Sequence, residues 1–467
     1  MDVRRRNLNG SYRTSTCGNI DNYLTIEALE DGLTAKLSYN DCEYCIDGDG
    51  VWNTLSSDTA TPSIKTGQII SFRGNLTPTS TKGIGTFTIS KKCNLKGNCM
   101  SMLFGDDFIG QYSLSGKSYA FFRLFYSNTK IINANKLILP ATTLADSCYR
   151  NMFYLCNSLL TAPELSATTL ANSCYYGMFG LCYSLLTAPE LPATTLADSC
   201  YYGMFSECQS ITTAPELPVT TLVDSCYYGM FDGCKSIKTA PELPATTLAD
   251  SCYGSMFRSC TSLTTAPELL ATTLADSCYY GMFSSTNVLP DCSNIDFSSY
   301  SVLSSGGLKG LFSGTKVTDN DLINILPINP NTGNYYLPVT TLVDSCYYGM
   351  FYGCSSLITA PELPATTLAT QCYSSMFSYC TSLTTAPELP AIVLLQNFSG
   401  YCYYRMFYGC SKLNYIKAMF TSTPGSSYTD NWVYGVASTG TFVKNKDATW
   451  SVTGNNGIPS GWTVQTV

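Results

Sequence analysis

The sequence predicts an α/β solenoid of 26-residue units, preceded by a small all-β sandwich-like domain. Three observations carry that expectation. Cys148, Cys174, Cys200, Cys226, Cys252 and Cys278 recur every 26 residues without drift. The phrase TAPELPATTLADSCYYGMF (187–205) returns almost unchanged at 213–231, 239–257, 265–283 and 359–377. Residues 20–115 lack this rhythm and alternate apolar with polar side chains instead. A fixed period between about 20 and 50 residues marks an array in which each unit buries its apolar face against its neighbours. At 467 residues the chain is also longer than one ordinary core serves.

Residues 1–19 read as an N-terminal tail. Their start, MDVRRRNLNG, has the basic character of an export signal but no apolar stretch after it, so no secretory address is expected. In 20–115, YLTIEAL, LTAKLSY, EYCIDGDGVWNTL and QIISFRG are β-rich runs separated by EDG, DGDG and RGN turns. DGDG at 47–50 is too short for an EF-hand loop. Cys42 and Cys45 form a CxxC, and Cys93 with Cys99 a looser pair. Four thiolates are a zinc donor set, while free or disulfide-linked thiols are the competing reading.

The array is assigned to 116–420, interrupted at 284–337. In the unit 185–210, SLLTAPEL predicts a short strand that ends at Pro189 and Pro192. TTLADS supplies a capping box, Thr195 as N-cap with Asp198 three residues on, opening a helix of two to three turns. On that helix Leu196, Cys200 and Met204 share a face, Tyr201 and Phe205 border it, and Tyr202 points away. Gly233, Gly353 and Gly409 are the expected helix stops of their units. A second cysteine series, from Cys156 to Cys260, trails the first by eight residues. Both are expected to be reduced packing residues, because neighbouring helices pack at about 8–10 Å, beyond disulfide reach. Within the interruption, GLKGLFSGTKVT reads as a degenerate unit. Phe407 follows Phe377 by 30 residues, a four-residue insertion. The segment 421–467, with three tryptophans, is expected to cap the last unit.

Composition limits the chemistry. The chain contains no histidine, which removes the common triads and His-metal sites. A net charge of −7 argues against nucleic acid, and no apolar run reaches the ~20 residues of a membrane helix. Two stripes remain as candidate sites. Tyr176, Tyr202, Tyr228, Tyr280, Tyr348 and Tyr404 recur on the outward face, as a binding surface for glycan or protein, or as packing between neighbours. Glu190, Glu216 and Glu242, with Glu164, Glu268, Glu362 and Glu388, form a ladder that must splay into solvent, face cations or take up protons. Equivalent acids offer no unique acid–base couple, so no enzyme and no cofactor are expected.

MFSECQSITTAPELP (204–218), MFRSCTSLTTAPELL (256–270) and MFYGCSSLITAPELP (350–364) resemble the BspA-like leucine-rich repeats of surface proteins from anaerobic, commensal and mycoplasma species. The likeness covers about 118–420 and departs at Ala-Pro-Glu, where such repeats continue with leucines. The 421–467 tail, the ALEDGL…YCIDGDG…FRGN head and the repeats in combination resemble leucine-rich proteins of gut Bacteroidetes and their tailed phages. The resemblance implies a leucine-rich-repeat-like array and an extracellular adhesion protein whose partner is a host-cell surface protein or polysaccharide. Without an export signal, a phage virion surface is the expected setting, with other virion proteins as further partners. A bacterial cell-surface adhesin and a ligand-free structural protein are the alternatives.

Overall fold

The computed structural model describes residues 23–47, 49–286, 295, 297–300, 303–394, 400–425 and 427–467. The tail assigned to 1–19 and part of the interruption assigned to 284–337 lie outside the described residues. The chain divides into two compact units, Met1–Glu216 and Leu217–Val467.

In the first unit, the alternating runs form strands β1 (Leu24–Ala28), β2 (Ala35–Leu37), β3 (Cys42–Ile46), β4 (Asn53–Leu55), β5 (Ile69–Arg73), β6 (Phe87–Ile89), β7 (Cys93–Asn98) and β8 (Ile131–Ile138). Six of them make one sheet in the order β4-β3-β5-β1-β7-β8, while β2 and β6 form a separate antiparallel ribbon. A sheet and a ribbon thus replace the two comparable sheets of a sandwich. Phe72 of β5 meets Phe87 of β6 edge to face at 4.8 Å. The central strand β1 is buried along most of its length, and its Thr25 hydroxyl is satisfied by Ser71 at 3.0 Å. β8 pairs parallel with β7, so the sheet crosses the boundary expected at 115. From Asn133 the pairing continues as single parallel bridges to Thr161 and then Thr187.

The repeats do not form the expected α/β solenoid of leucine-rich-repeat-like units. The α-helices among the described residues are Ser101–Phe104 and Asp319–Ile325, and neither lies in a TTLADSCYYGMF segment. The expected repeat strands shrink to isolated bridges such as Thr169↔Thr195. The backbone conformation explains why. An α-helix needs φ near −63° at every residue, but Ser147, Asn151 and Leu155 sit at φ 56°, 55° and 65°. The same slots in the next unit, Ser173, Gly177 and Leu181, are at 54°, 56° and 60°. A left-handed residue every fourth position converts the segment into overlapping β-turns, alternate ones of which have φ > 0 at the third residue, as type II requires.

Hydrogen bonding follows the same alternation. Cys148, Arg150 and Met152 donate three residues back, to Ala145, Ser147 and Tyr149, at 3.1–3.2 Å. The residues between them donate across to the next repeat: Tyr149 to Cys174 O at 3.0 Å, Asn151 to Tyr176 O at 2.8 Å, Phe153 to Met178 O at 2.9 Å. Each buried N–H therefore has a partner without a helix. Thr195 is a bridge residue, not an N-cap. The Asx side chain three residues later in the repeat reaches to the next one: Asn172 Oδ1 accepts from Asp198 N at 3.3 Å, and Asp250 Oδ1 from Asp276 N at 3.0 Å. Gly233, Gly353 and Gly409, expected as helix stops, are left-handed turn residues at φ 71–73°.

This ribbon stacks its large side chains. Tyr149, Tyr175 and Tyr201 are 1–2% exposed. Their rings lie 5.7 and 5.8 Å apart and within 9° of parallel. Phe153, Phe179 and Phe205 form a second column at 5.6 and 5.8 Å. Offset aromatic pairs contribute about 0.5–1.5 kcal/mol beyond their buried area. The cysteines of both series are fully buried free thiols. Those of the second series also donate: Cys182 Sγ to Phe153 O and Cys208 Sγ to Phe179 O, both at 3.1 Å.

The second unit repeats the pattern. The residues GLKGLFSG take part: Gly306, Gly310 and Gly314 are left-handed, Gly281 N donates to Lys309 O, and Gly310 N to Tyr348 O, both at 2.8 Å. The helix Asp319–Ile325 follows, opened by a Thr318–Asp321 capping box. The turn ribbon runs on past 420, with Phe407 N bonded to Trp432 O at 2.8 Å. A parallel three-stranded sheet follows, of β9 (Tyr415–Ala418), β10 (Thr441–Lys444) and β11 (Thr463–Thr466). Trp432, fully buried, donates Nε1 to Gly457 O at 2.9 Å and lies against Tyr403 and Phe407.

Candidate functional site

The six tyrosines expected on the outward face are all half-buried, because their rings lie along the ribbon. Tyr176 and Tyr202 stack at 4.5 Å, and Arg150 covers Tyr176 at 4.2 Å. Tyr228 lies over Gly254, where an added Cβ would come within 2.7 Å of its ring. Arg405 stands 5.1 Å from the Tyr404 ring. For much of the stripe, then, the outward rings pack against the neighbouring repeat.

The stripe changes character between Tyr280 and Tyr348. LKGLFSG (308–314) aligns with YYGMFSS (279–285), so Lys309 occupies the slot that Tyr280 and Tyr348 fill in the flanking repeats. The cross-repeat bonds place them so: Gly281 N reaches Lys309 O, and Gly310 N reaches Tyr348 O. The Lys309 ammonium lies 5.6 Å from the Tyr280 ring centre and 4.5 Å from that of Tyr348. Exchanging a phenol ring for a flexible chain opens a trough of about 220 Å³. It runs over Gly281, Gly310 and Gly349, whose left-handed φ of 57°, 62° and 57° leaves backbone without a side chain. Ser284, Ser313 and Tyr352 line it further along the chain, and Arg258 and Ser375 complete it.

The trough's polar groups are unequally satisfied. Arg258 is held by Asp232, which accepts from Nε at 3.0 and 3.1 Å and from Nη2. Among the described residues, no carboxylate lines the trough. Ser255 is 2% exposed, and its buried Oγ has no hydrogen-bond partner. A buried hydroxyl left unpaired costs about 1–3 kcal/mol, so the wall of the trough carries an unsatisfied polar group. Lys309, Ser255 and the three glycines were not singled out in the sequence. The alignment of LKGLFSG with YYGMFSS was the available signal.

Of the other candidates, Glu242 and Glu268 line one groove of the second unit and Glu362 and Glu388 another. Glu164, Glu190, Glu216, Glu242 and Glu268 are exposed. Glu388 pairs with Lys417 at 2.9 Å. Glu362 accepts from Asn329 and Asn334 at 2.6 and 3.0 Å. Burial opposes ionisation of Glu362, yet hydrogen bonds from Thr332, Asn329 and Asn334 hold its carboxyl below the usual range. The four head cysteines are not gathered. Cys42 and Cys45 lie on β3 and Cys93 on β7, with β5 and β1 between them. Three strand spacings are about 14 Å, whereas thiolates sharing a zinc lie within about 4 Å of one another given Zn–S bonds of about 2.3 Å. Cys45 is also in a disulfide, and burial pushes the Cys42 and Cys93 thiols up to about 12. Among the described residues, no cluster of metal-ligating side chains occurs.

No protein-family model, no curated protein and no solved structure matches the chain.

Proposed function

We propose that the chain is a non-enzymatic binding protein that presents the tyrosine face of its repeats to a surface polysaccharide. The setting is an exposed one, on a phage virion or a bacterial cell. The observation that carries this reading is the trough between Tyr280 and Tyr348. It combines aromatic rings, a row of hydroxyls and bare glycine backbone, a combination suited to a sugar's apolar ring face and polar rim. Tyr176 and Tyr202, stacked on each other, serve packing, so they supply the control.

The test is binding of the purified protein to intact gut Bacteroidetes cells, their isolated capsular polysaccharides and a panel of neutral and acidic polysaccharides. The comparison is with Tyr280→Ser/Tyr348→Ser and with Tyr176→Ser. Saturable polysaccharide binding lost in the double variant and kept in Tyr176→Ser is expected. Binding abolished by protease treatment of the cells would move the partner from polysaccharide to protein. No saturable binding by the wild type to any cell or polymer would refute the proposal.

A further inference from the structure

Lys309 departs from the repeat in a way that tyrosine packing does not require. At Tyr176 and Tyr202 the rings of this slot lie against each other; at 309 a cation sits between two rings, 4.5 Å from one and 5.6 Å from the other. Among the described residues no carboxylate pairs with Lys309, whereas Arg258, the other cation of the trough, is chelated by Asp232. An ammonium held by ring faces keeps its charge and its hydrogen-bond capacity for a further partner. In a chain of net charge −7 the trough is lined by two cations and, among the described residues, by no carboxylate. The unpartnered Oγ of Ser255 lines the same trough, independently marking it as incomplete. Its volume of about 220 Å³ is below the roughly 300 Å³ where pockets for drug-sized ligands begin, which suits one sugar ring.

We infer that the trough takes a carboxylated sugar residue of an acidic polysaccharide, with Lys309 receiving the carboxylate and Tyr280 and Tyr348 bordering the ring. This rests on the polysaccharide reading above and narrows it to uronic-acid-type units. Ser255 and Ser284 line the same trough and give it a polar wall beside the ring. A neutral sugar would leave the ammonium facing no anion, and a free phosphate would leave the rings without a partner.

The experiment measures binding of the full chain to polygalacturonate, alginate and hyaluronan, each beside its carboxyl-reduced neutral form. Wild type, Lys309→Gln and Lys309→Arg are compared after their unfolding curves are shown to coincide. The acidic polymer that binds is expected to do so at least tenfold more tightly than its reduced form. Lys309→Gln should remove that preference, Lys309→Arg should retain it, and raising salt should weaken it. Equal binding of acidic and reduced forms would overturn the inference and leave the polysaccharide reading standing. So would binding confined to neutral polymers of the wider panel, or a preference that survives in Lys309→Gln. Displacement by inorganic phosphate as effective as by galacturonate would reduce the trough to a general anion site and also overturn it. Failure to bind any polymer, acidic or neutral, would sink both.

Discussion

Replacing Gly203 by alanine distinguishes a turn ribbon from a helix by the sign of its effect. Gly203 sits mid-segment at φ 55°. A Cβ there would have Ser206 Cβ as its nearest neighbour at 3.8 Å, ordinary contact, so no clash confuses the result. In the ribbon, alanine pays the left-handed penalty of about 1–2 kcal/mol, offset by about 0.4–1 kcal/mol from a stiffer unfolded chain. The net is a destabilisation of about 1 kcal/mol. In a helix interior the same change would stabilise by about 0.8–1 kcal/mol. The chain supplies its own intermediate, since Asn151 fills the equivalent slot at φ 55°, so Gly203→Asn should cost less than Gly203→Ala. Urea unfolding followed by circular dichroism reads the difference. With slopes of about 1–3 kcal/mol/M, the alanine variant's midpoint should fall by about 0.3–1 M at unchanged slope. A midpoint that rises would refute the left-handed assignment.

Three further outcomes follow from the same packing. Burial holds the Cys42, Cys93, Cys402 and Cys410 thiols up at about 12, against an ordinary value of about 8.5. Their contribution to stability is therefore complete below about pH 8.5 and lost as pH rises towards 12, at up to about 1.4 kcal/mol per pH unit for each thiol. Urea midpoints taken under reductant at pH 7, 9 and 10 should fall steadily, and a flat profile would contradict it. Trp432→Ala, at the end of the ring columns, should cost about 3–5 kcal/mol and lower the unfolding midpoint by tryptophan fluorescence; a near-neutral change would deny Trp432 its closing role. Glu362→Ala should speed proteolysis within 327–336 while leaving the midpoint nearly unchanged, and acidifying the wild type through the depressed range of the Glu362 carboxyl, below the ordinary carboxylate value, should act the same way. Cleavage at the wild-type rate would show that Asn329 and Asn334 hold the loop without the carboxylate.

Several elements could be read directly from the residues. β1 and β5 appear where LTIEA and IISFR alternate or enrich β-branched residues, and the 26-residue period reappears in the cross-repeat bonds of the regular repeats, such as Tyr149 to Cys174 and Tyr175 to Cys200. The helix misled for a geometric reason. Residues four apart on a helix are rotated by 400°, only about 40° past a full turn, so Cys200, Met204 and Cys208 cluster on one side either way. The apolar pattern therefore fits a four-residue ribbon as well as a helix. What separates them is the left-handed slot, filled by Ser225, Gly229 and Gly233 in one repeat and by Ser147, Asn151 and Leu155 in another. Glycine and asparagine there are signals; Leu155 at φ 65° is not, because its conformation is imposed by cross-repeat bonding from the Leu155 N–H to Gly180 O at 2.9 Å. The isolated Thr bridges were equally hidden, since Pro189 and Pro192 suggested only where a strand would end.

The same regularity explains why the candidate site lies where the repeat fails. Identical slots present a ligand with many equivalent places and no reason to prefer one, and stacked rings such as Tyr176 and Tyr202 spend their faces on each other. Specific recognition needs a group that differs from its neighbours and is left with a face or charge to give. Lys309 meets both conditions: its backbone keeps the register, through Gly281 N to Lys309 O, so the fold loses no hydrogen bond. Its side chain stands between Tyr280 and Tyr348 in place of a ring, so each keeps surface that a tyrosine at 309 would cover. Lys309→Tyr should therefore be tolerated by the fold and close the trough, abolishing binding without lowering stability. A variant that still binds as the wild type does would place recognition elsewhere on the chain.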